Sequence, residues 1–260
     1  MQNRHLDRQQ YFNEQAESTE KFVLPYIRDK ISSLGVGSRV LEIGCGEGGN
    51  LVPFLKLGCE CYGIELSEVN YTNALKFHQE LPYRGQLHLF NNDIYKVTDS
   101  DIGGKFDVVF LRDVLEHIPN QEKFLKHLKQ FLQPNGVVLF AFPPWRMPFG
   151  GHQQVCKNKY LSKLPYFHIL PAKLYERILK MCGENPKEFL EIKETGISIS
   201  RFKRIIGKEN YEVVKNTHWF INPNYQVKFG LKPRKLPKIF QIPFLQDFYT
   251  TAVYYLLKLK

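Results

Sequence analysis

The sequence lacks the usual marks of a secreted or membrane-spanning protein. Its five cysteines are odd in number and irregularly spaced, which indicates neither a disulfide framework nor a zinc site. No apolar run is long enough to cross a bilayer, and residues 1–15 carry no secretory core. No other cluster of ligand residues indicates a metal. We therefore expect reduced thiols, a cytoplasmic location and no metal ion.

Repeats, low-complexity tracts and blocks of like charge are absent as well. What the chain does have is an excess of 36 Lys and Arg over 26 Asp and Glu, a formal net charge of +10. Such an excess favours anionic partners, such as nucleic acid, a lipid surface or a phosphorylated substrate, although it also serves solubility alone. Residues 231–244 mix basic residues, prolines and large apolar residues, which is typical of either a peripheral membrane contact or a basic surface loop.

A glycine-rich turn organises the first half of the chain. The apolar run 40–43 is followed by glycines at 44, 46, 48 and 49, and then by the amphipathic stretch 51–57. This order indicates a strand, a tight turn and a helix. Glycine is needed where the backbone takes positive φ or comes close to a ligand. The start of the following helix offers free N–H groups to a polar or anionic ligand. The turn by itself is also compatible with an ordinary strand-to-helix connection.

Further apolar runs alternate with helical patterns after this turn. The expected strands are 40–43, 61–66, 87–90, 106–111 and 137–142. Such alternation implies right-handed crossovers and a parallel sheet, which binds its ligand at the carboxyl ends of the strands. Glu42, Glu65, Asp93 and Arg112 stand at or just after four of these ends. We therefore expect a ligand site at that edge of the sheet.

The N-terminal part is less regular. The polar stretch 1–15 contains Tyr11 and is expected to form either a lid over the site or a frayed end. Apolar residues then recur at helical spacing over 22–34. Ser18 or Thr19 is expected to cap that helix.

The second half departs from the alternating pattern at Pro143. Residues 143–197 predict an inserted cap over the ligand edge, with a helix at 172–181. The sheet is expected to resume at 211–221 and to end with a strand at 248–257. The whole chain is thus interpreted as one domain with four parts, at 1–38, 39–142, 143–197 and 198–260.

The glycine turn suits two cofactor classes. Three of its glycines match the G-x-G-x-x-G pattern of nicotinamide dinucleotide folds, and Glu65 lies near the distance expected for an acid that binds a ribose. Glu42, however, would repel a pyrophosphate and suit a ligand with an ammonium group. Asp93 could accept a hydrogen bond from an adenine amine. An NAD(P)-dependent oxidoreductase therefore stays an alternative at this point.

The motifs resemble those of class I S-adenosylmethionine-dependent methyltransferases, in particular small-molecule enzymes similar to those of the ubiquinone and menaquinone pathways. The resembling stretches are 40–48, 63–67, 92–94, 106–109, 113–118 and 132–138. The resemblance implies a Rossmann-like, doubly wound α/β fold. It implies seven mostly parallel strands with the last one antiparallel, and a cap inserted after the fifth strand.

The same resemblance implies which residues bind the cofactor. They are Tyr11, Glu42, Gly44, Cys45, Gly46, Gly48, Glu65, Leu66, Asp93, Ile94 and Arg112. The glycine turn would hold the methionine part of S-adenosylmethionine, and the acid after the second strand would bind the ribose. The acid after the third strand would meet the adenine amine, and the terminal tyrosine would close a lid.

The implied reaction is an in-line transfer of a methyl group to a small-molecule acceptor, on an oxygen of a metabolite, sugar or lipid-like compound. A hydroxyl acceptor can need a base, for which His117 and His152 are the candidates. An RNA methyltransferase is disfavoured because 111–113 lacks the Pro-Pro-aromatic run of base-modifying enzymes. A non-catalytic cofactor-binding module is also disfavoured, because it would be expected to have damaged cofactor residues.

Overall fold

A single mixed sheet forms the centre of the protein. A computed structural model describes residues 7–260, and the first six residues of the expected lid lie outside this range. The strands are β1 (Arg39–Ile43), β2 (Glu60–Glu65), β3 (Leu87–Asn91), β4 (Phe106–Arg112), β5 (Leu132–Phe142), β6 (Tyr211–Ile221), β7 (Arg234–Lys235) and β8 (Ala252–Leu259).

Helices cover both faces of this sheet. They are α1 (Arg8–Ser18), α2 (Leu24–Arg28), α3 (Val52–Lys56), α4 (Glu68–His78), α5 (Gln121–Leu128), α6 (Ala172–Met181), α7 (Pro186–Thr195), α8 (Ile199–Lys208) and α9 (Asn224–Phe229). Within residues 7–260, no helix combines the length and the apolar character needed to cross a membrane.

The strand order is β3-β2-β1-β4-β5-β8-β6-β7. The strands β1 to β5 pair in parallel, whereas β8 lies antiparallel between β5 and β6. The Rossmann-like α/β fold with an antiparallel last strand is thereby confirmed. The expected count of seven strands was low by one, because the two-residue β7 pairs with the edge of β6. So short a strand, flanked by prolines, leaves no alternating pattern in the sequence.

Side chains of the central strands alternate between two cores. Val109 and Leu111 of β4 face the core that contains Phe124 and Phe202, whereas Val108 and Phe110 face the other one. This is the two-residue period of a strand buried on both faces. The carboxyl ends of β1 to β5 are thereby held at one rigid edge.

The N-terminal helix begins earlier than the sequence pattern indicates. In place of a helix over 22–34 capped by Ser18 or Thr19, α1, a π-helical turn and α2 are continuous in the chain. The N-cap is Asp7, whose side chain accepts a hydrogen bond from the backbone N–H of Gln10. The two hydroxyls do not cap a helix end, because tertiary hydrogen bonds use them inside the protein.

The cap is built around a small core of its own. Residues 143–197 include α6, which confirms the predicted helix at 172–181, and α7. Their buried side chains include Phe167, Tyr175, Leu179 and Phe189. The last strand begins at Ala252 and not near residue 248, because the preceding residues form a 3-10 turn.

Candidate active site

A cavity of about 930 Å³ opens at the carboxyl ends of the parallel strands. The turns after β1 and β2 form one side of it, α1 covers another, and the cap and α9 complete the wall. Cavities that hold one small ligand typically measure about 300–1,000 Å³. The volume is therefore sufficient for a nucleoside cofactor with a small acceptor beside it.

The backbone of the glycine turn forms part of the cavity wall. Gly44 and Gly46 both line it, with φ of +71° and +56°. A Cβ at Gly44 would lie 2.6 Å from Cγ2 of Val114, whereas a Cβ at Gly46 would meet nothing within 4 Å. Gly44 thus allows close packing beneath the turn, and Gly46 leaves space above it for a ligand.

Glu65 is fixed at the end of β2 by backbone donors. Its Oε2 accepts a hydrogen bond from the N–H of Gly46 at 2.8 Å, and its Oε1 accepts one from the N–H of Ser67 at 2.8 Å. The side chain lines the cavity and the residue is only 9% exposed. Each carboxylate oxygen retains a lone pair, so that a ligand hydroxyl can still donate to this group.

Eight of the eleven predicted cofactor residues line the cavity. They are Tyr11, Gly44, Gly46, Glu65, Leu66, Asp93, Ile94 and Arg112. They come from α1 and from the ends of four strands, which the parallel sheet brings together. The side chains of Asp93 and Ile94 follow β3, where the carboxylate also accepts a hydrogen bond from the N–H of Tyr95.

The other three predicted cofactor residues do not line the cavity, and their assignment to the cofactor stays a prediction. Glu42 is fully buried, and its Oε1 accepts a hydrogen bond from Nδ2 of Asn50 at 2.7 Å. Desolvation raises the pKa of Glu42 well above its usual value. Cys45 is 1% exposed, and a Cβ at Gly48 would lie 2.7 Å from the ring of His78. All three residues are packed inside the protein next to the turn.

Arg112 lines the cavity, but its guanidinium is committed to the protein. Nη1 donates to Oγ1 of Thr19 at 2.9 Å and to Oδ1 of Asn50 at 2.8 Å. Nη2 donates to Oγ of Ser18 at 2.5 Å. The side chain therefore joins β4 to the helix that covers the site.

The helix α1 closes one side of the cavity. Tyr11 lines the cavity, and Arg8 forms an ion pair with Glu47 of the glycine turn. Burial is the main reason that the pKa of Tyr11 is raised to about 12, and the nearby Asp113 carboxylate raises it further. Tyr11 is therefore a neutral hydrogen-bond donor at physiological pH.

Two histidines from distant parts of the chain meet in the cavity. His117 follows β4 and His152 belongs to the cap, yet their ring centroids are 4.7 Å apart. Desolvation lowers the pKa of His117, which keeps its ring neutral at physiological pH. Asp113 and His152 both take positive φ, at 55° and 56°. Non-glycine residues rarely adopt this conformation, and it persists where the surroundings impose it, often at functional sites.

A buried carboxylate completes this group. Ligand atoms of Glu116, His117 and His152 all lie within 4.8 Å of one another. Desolvation raises the pKa of Glu116 well above its usual value, and the Asp113 carboxylate adds to the effect. Such a set can accept a proton from a substrate hydroxyl or hold a divalent cation. The sequence did not indicate this possible metal site, because His152 belongs to the cap and is distant in the chain from Glu116 and His117.

Several cavity residues were missed by sequence reasoning. The region after β6 supplies Asn222, Tyr225 and Lys228, and the cap supplies Met147 and Phe149. Burial raises the pKa of Tyr225 to about 12, so that its hydroxyl is a neutral donor. No motif marks these positions. Their distance from the glycine turn in the folded protein depends on the order of strands in the sheet. That order cannot be read from a single sequence.

The fold and this edge of the sheet define a Rossmann-like protein with a nucleoside-cofactor site. The family model described as "Methyltransferase domain" matches residues 11–187. The chain therefore belongs to this family, the class I S-adenosylmethionine-dependent methyltransferases. This membership decides between the two cofactor classes left open by the glycine turn.

The curated relatives share only about a quarter to a third of their residues with this chain over the aligned stretches. The ubiquinone biosynthesis O-methyltransferase of Rhodopseudomonas palustris (strain TIE-1) is 31% identical over 109 residues, which are 40% of this chain and 40% of that protein. Phosphoethanolamine N-methyltransferase 2 of Caenorhabditis elegans is 26% identical over 231 residues, 84% of this chain and 50% of that protein. The matches thus span half or less of both curated relatives.

Solved structures share the fold. The magnesium protoporphyrin IX methyltransferase from Synechocystis, solved with bound S-adenosylhomocysteine, superposes with a TM-score of 0.55 at 16% identity. The superposition covers 96% of this chain and 87% of that one. At this identity the likeness concerns the architecture of the sheet and its helices.

Proposed function

We propose that the protein transfers a methyl group from S-adenosylmethionine to a hydroxyl oxygen of a small-molecule acceptor. The observation that carries the proposal is one cavity lined by two chemically distinct groups of residues. Gly46 and Glu65 belong to the first group, and His117 and His152 form the second. A methyl transfer needs this juxtaposition, because donor and acceptor must meet in line.

The residues of the first group suit the cofactor. In this proposal the open space above Gly46 takes the methionine part, and Glu65 accepts hydrogen bonds from ribose hydroxyls. We assign Asp93 and Ile94, which also line the cavity, to the adenine amine and ring. When bound, S-adenosylmethionine supplies a methyl group already activated on a sulfonium. The protein therefore needs chiefly to position the acceptor and to exclude water.

The second group of residues contains a proton acceptor. The neutral ring of His117 and the ring of His152 face a space where an acceptor hydroxyl can donate its proton. Removing that proton raises the nucleophilicity of the oxygen as it approaches the methyl group. Tyr11 and Tyr225 are neutral donors that can orient the acceptor.

The apolar part of the cavity lining favours a partly apolar acceptor. It includes Met147, Phe149 and Val155 of the cap, and Phe229 and Leu231 from the region after β6. Both curated relatives named above act on small molecules according to their names, and the first is an O-methyltransferase. We therefore favour a hydroxylated metabolite or lipid-like compound over nucleic acid as the acceptor. A cytoplasmic location is part of the proposal, because all five cysteines are free thiols.

The cofactor assignment is tested by calorimetric titration of the protein with S-adenosylhomocysteine, with NADH as the comparison. We expect micromolar binding of the first compound only. Glu65→Ala should weaken this binding by roughly 1–3 kcal/mol, because it removes a charged hydrogen-bond partner. The matched control is Glu68→Ala, which removes an exposed carboxylate in the first turn of α4.

Binding of NADH in place of S-adenosylhomocysteine would contradict the proposal. Wild-type affinity in the Glu65→Ala protein would remove Glu65 from the site. A Glu65→Gln variant should also bind more weakly than the wild type, because its amide nitrogen cannot accept the hydrogen bond from one of the two backbone N–H groups of Gly46 and Ser67.

His152→Ala is expected to lower turnover by about 10²–10⁴-fold, the usual contribution of a positioned base. The assay follows incorporation of labelled methyl groups into hydroxylated, phosphorylated and lipid-like compounds. Binding of S-adenosylhomocysteine should be unchanged. Because the pKa of His117 is lowered, wild-type turnover should decline only at a pH below the usual titration range of histidine.

The matched control is His88→Ala, on β3 outside the cavity. Wild-type turnover in His152→Ala would exclude this residue from the reaction. Loss of activity on chelation, with recovery on addition of Mg²⁺, would instead assign the cluster of Glu116, His117 and His152 to metal binding.

A further inference from the structure

One surface segment that adjoins the cavity wall is unusually rich in exposed apolar side chains. Eight of the twenty large hydrophobic side chains found exposed among the described residues fall within 229–249. They are Phe229, Leu231, Ile239, Phe240, Ile242, Phe244, Leu245 and Tyr249. Ile239 is 77% exposed. We name residues 229–249 the rim segment.

This exposure is imposed by a fixed backbone. Leu236 is buried, and its N–H donates to the carbonyl oxygen of His218 at 2.8 Å. Asp247 is fully buried and forms an ion pair with Arg146 of the cap at 3.2 Å. Buried anchors therefore hold both halves of the rim segment while its large apolar side chains face water. Contiguous apolar surface of this kind marks an interaction site.

The exposed charges of the rim segment are all positive. They are Lys232, Arg234, Lys235 and Lys238, and its single acid, Asp247, is buried. Within the described part of the chain, none of these four cations forms an ion pair. The partner of this surface must therefore combine negative charge with an apolar phase.

From this combination, we propose that the rim segment docks on an anionic lipid surface. Its lysines and arginine would meet lipid phosphates, and its isoleucines and phenylalanines would enter the boundary between headgroups and acyl chains. A second copy of the chain fits less well, because it would oppose positive charge to positive charge. Nucleic acid fits less well too: Phe240 and Phe244 can stack on bases, but the exposed Ile239 and Ile242 would find no apolar phase to enter.

Docking in this way would bring part of the cavity wall to the lipid. Phe229 and Leu231 belong both to the rim segment and to the wall of the cavity. An acceptor dissolved in the bilayer could then enter without crossing water, a consequence that rests on the proposed methyl transfer. The docking itself does not depend on that function.

The test is co-sedimentation of the full chain with vesicles. One set contains phosphatidylcholine alone, and the other an equal mixture of phosphatidylcholine and phosphatidylglycerol. We expect binding to the mixed vesicles and little to the neutral ones. Lys235→Glu with Lys238→Glu should reduce binding by at least about tenfold, because each basic residue near an anionic surface contributes several-fold. Ile239→Ser with Ile242→Ser should also reduce it by about tenfold.

The matched control carries Val69→Ser and Leu75→Ser. Both residues are exposed on α4, which packs on β2 and β3 at the opposite end of the sheet from β7. This variant should bind like the wild type. Urea unfolding checks that every variant is folded. Titration with S-adenosylhomocysteine tests the proposed function separately from the docking.

Three results would overturn the docking. The first is absence of wild-type binding to the mixed vesicles, and the second is equal loss of binding in the control. The third is a dimer in sedimentation equilibrium that Ile239→Ser with Ile242→Ser dissociates, since this would assign the surface to a second copy of the chain.

Discussion

Gly46→Arg is expected to abolish binding of S-adenosylhomocysteine in a calorimetric titration. A side chain at position 46 would extend into open space, because nothing lies within 4 Å of its Cβ, and that space is the cavity. The arginine would displace the ligand and draw the guanidinium toward Glu65, the residue proposed for the ribose. We expect a loss of affinity of at least about 100-fold, or roughly 3 kcal/mol.

The matched control is Gly37→Arg. Gly37 is exposed, has a φ of +82° and likewise has no atom within 4 Å of its Cβ, but it does not line the cavity. Both substitutions therefore place arginine in left-handed backbone, at a similar cost in stability of about 1 kcal/mol. Only the first should affect the ligand. Comparable binding by the two variants would contradict the position given to the cofactor.

Arg112→Ala is expected to lower the free energy of unfolding by about 3–5 kcal/mol. Removal of one partner from a buried charged network leaves the others desolvated and unpaired. Here the guanidinium holds Ser18 and Thr19 of the N-terminal helix together with Asn50, and Ser18 in turn donates to Oδ1 of Asn224. Urea unfolding measures this loss directly.

Arg112→Lys should recover only part of this stability, because one ammonium cannot reproduce the three planar donations made by the two terminal nitrogens. The control is Arg28→Ala, an exposed arginine at the end of α2, for which we expect a change within about 0.5 kcal/mol. If Arg112→Ala has the same free energy of unfolding as the wild type, the hydrogen bonds of Arg112 do not stabilise the attachment of α1 to the sheet.

The sequence by itself determined the order of elements in the first half of the chain. The strands from β1 to β5 were located because apolar runs, glycines and turn residues are local signals with a fixed period. Glu65 and Asp93 could be assigned to the ligand edge for the same reason. In a parallel sheet, every strand delivers its carboxyl end to one side.

The N-terminal helix shows where local reading fails. Ser18 and Thr19 are good capping residues, and their position before an apolar helical pattern suggested a helix start. In the structure their hydroxyls bind Arg112, which lies more than 90 residues away. A capping preference of about 1 kcal/mol is smaller than the cost of leaving a buried guanidinium unpaired, so the tertiary contact prevails.

The tertiary structure alone decided how the site is completed. His117 and His152 were each plausible by their motif, but only the folded cap brings their rings to 4.7 Å and places His152 beside the buried Glu116. Glu42, Cys45 and Gly48 stand in the motif yet do not line the cavity, because packing inside the protein buries them; a Cβ at Gly48, for example, would meet His78 of α4. Local sequence specifies strands, turns and the residues at their ends. Which side chains face one cavity depends on contacts between segments distant in the chain, and a single sequence does not encode these in any local pattern.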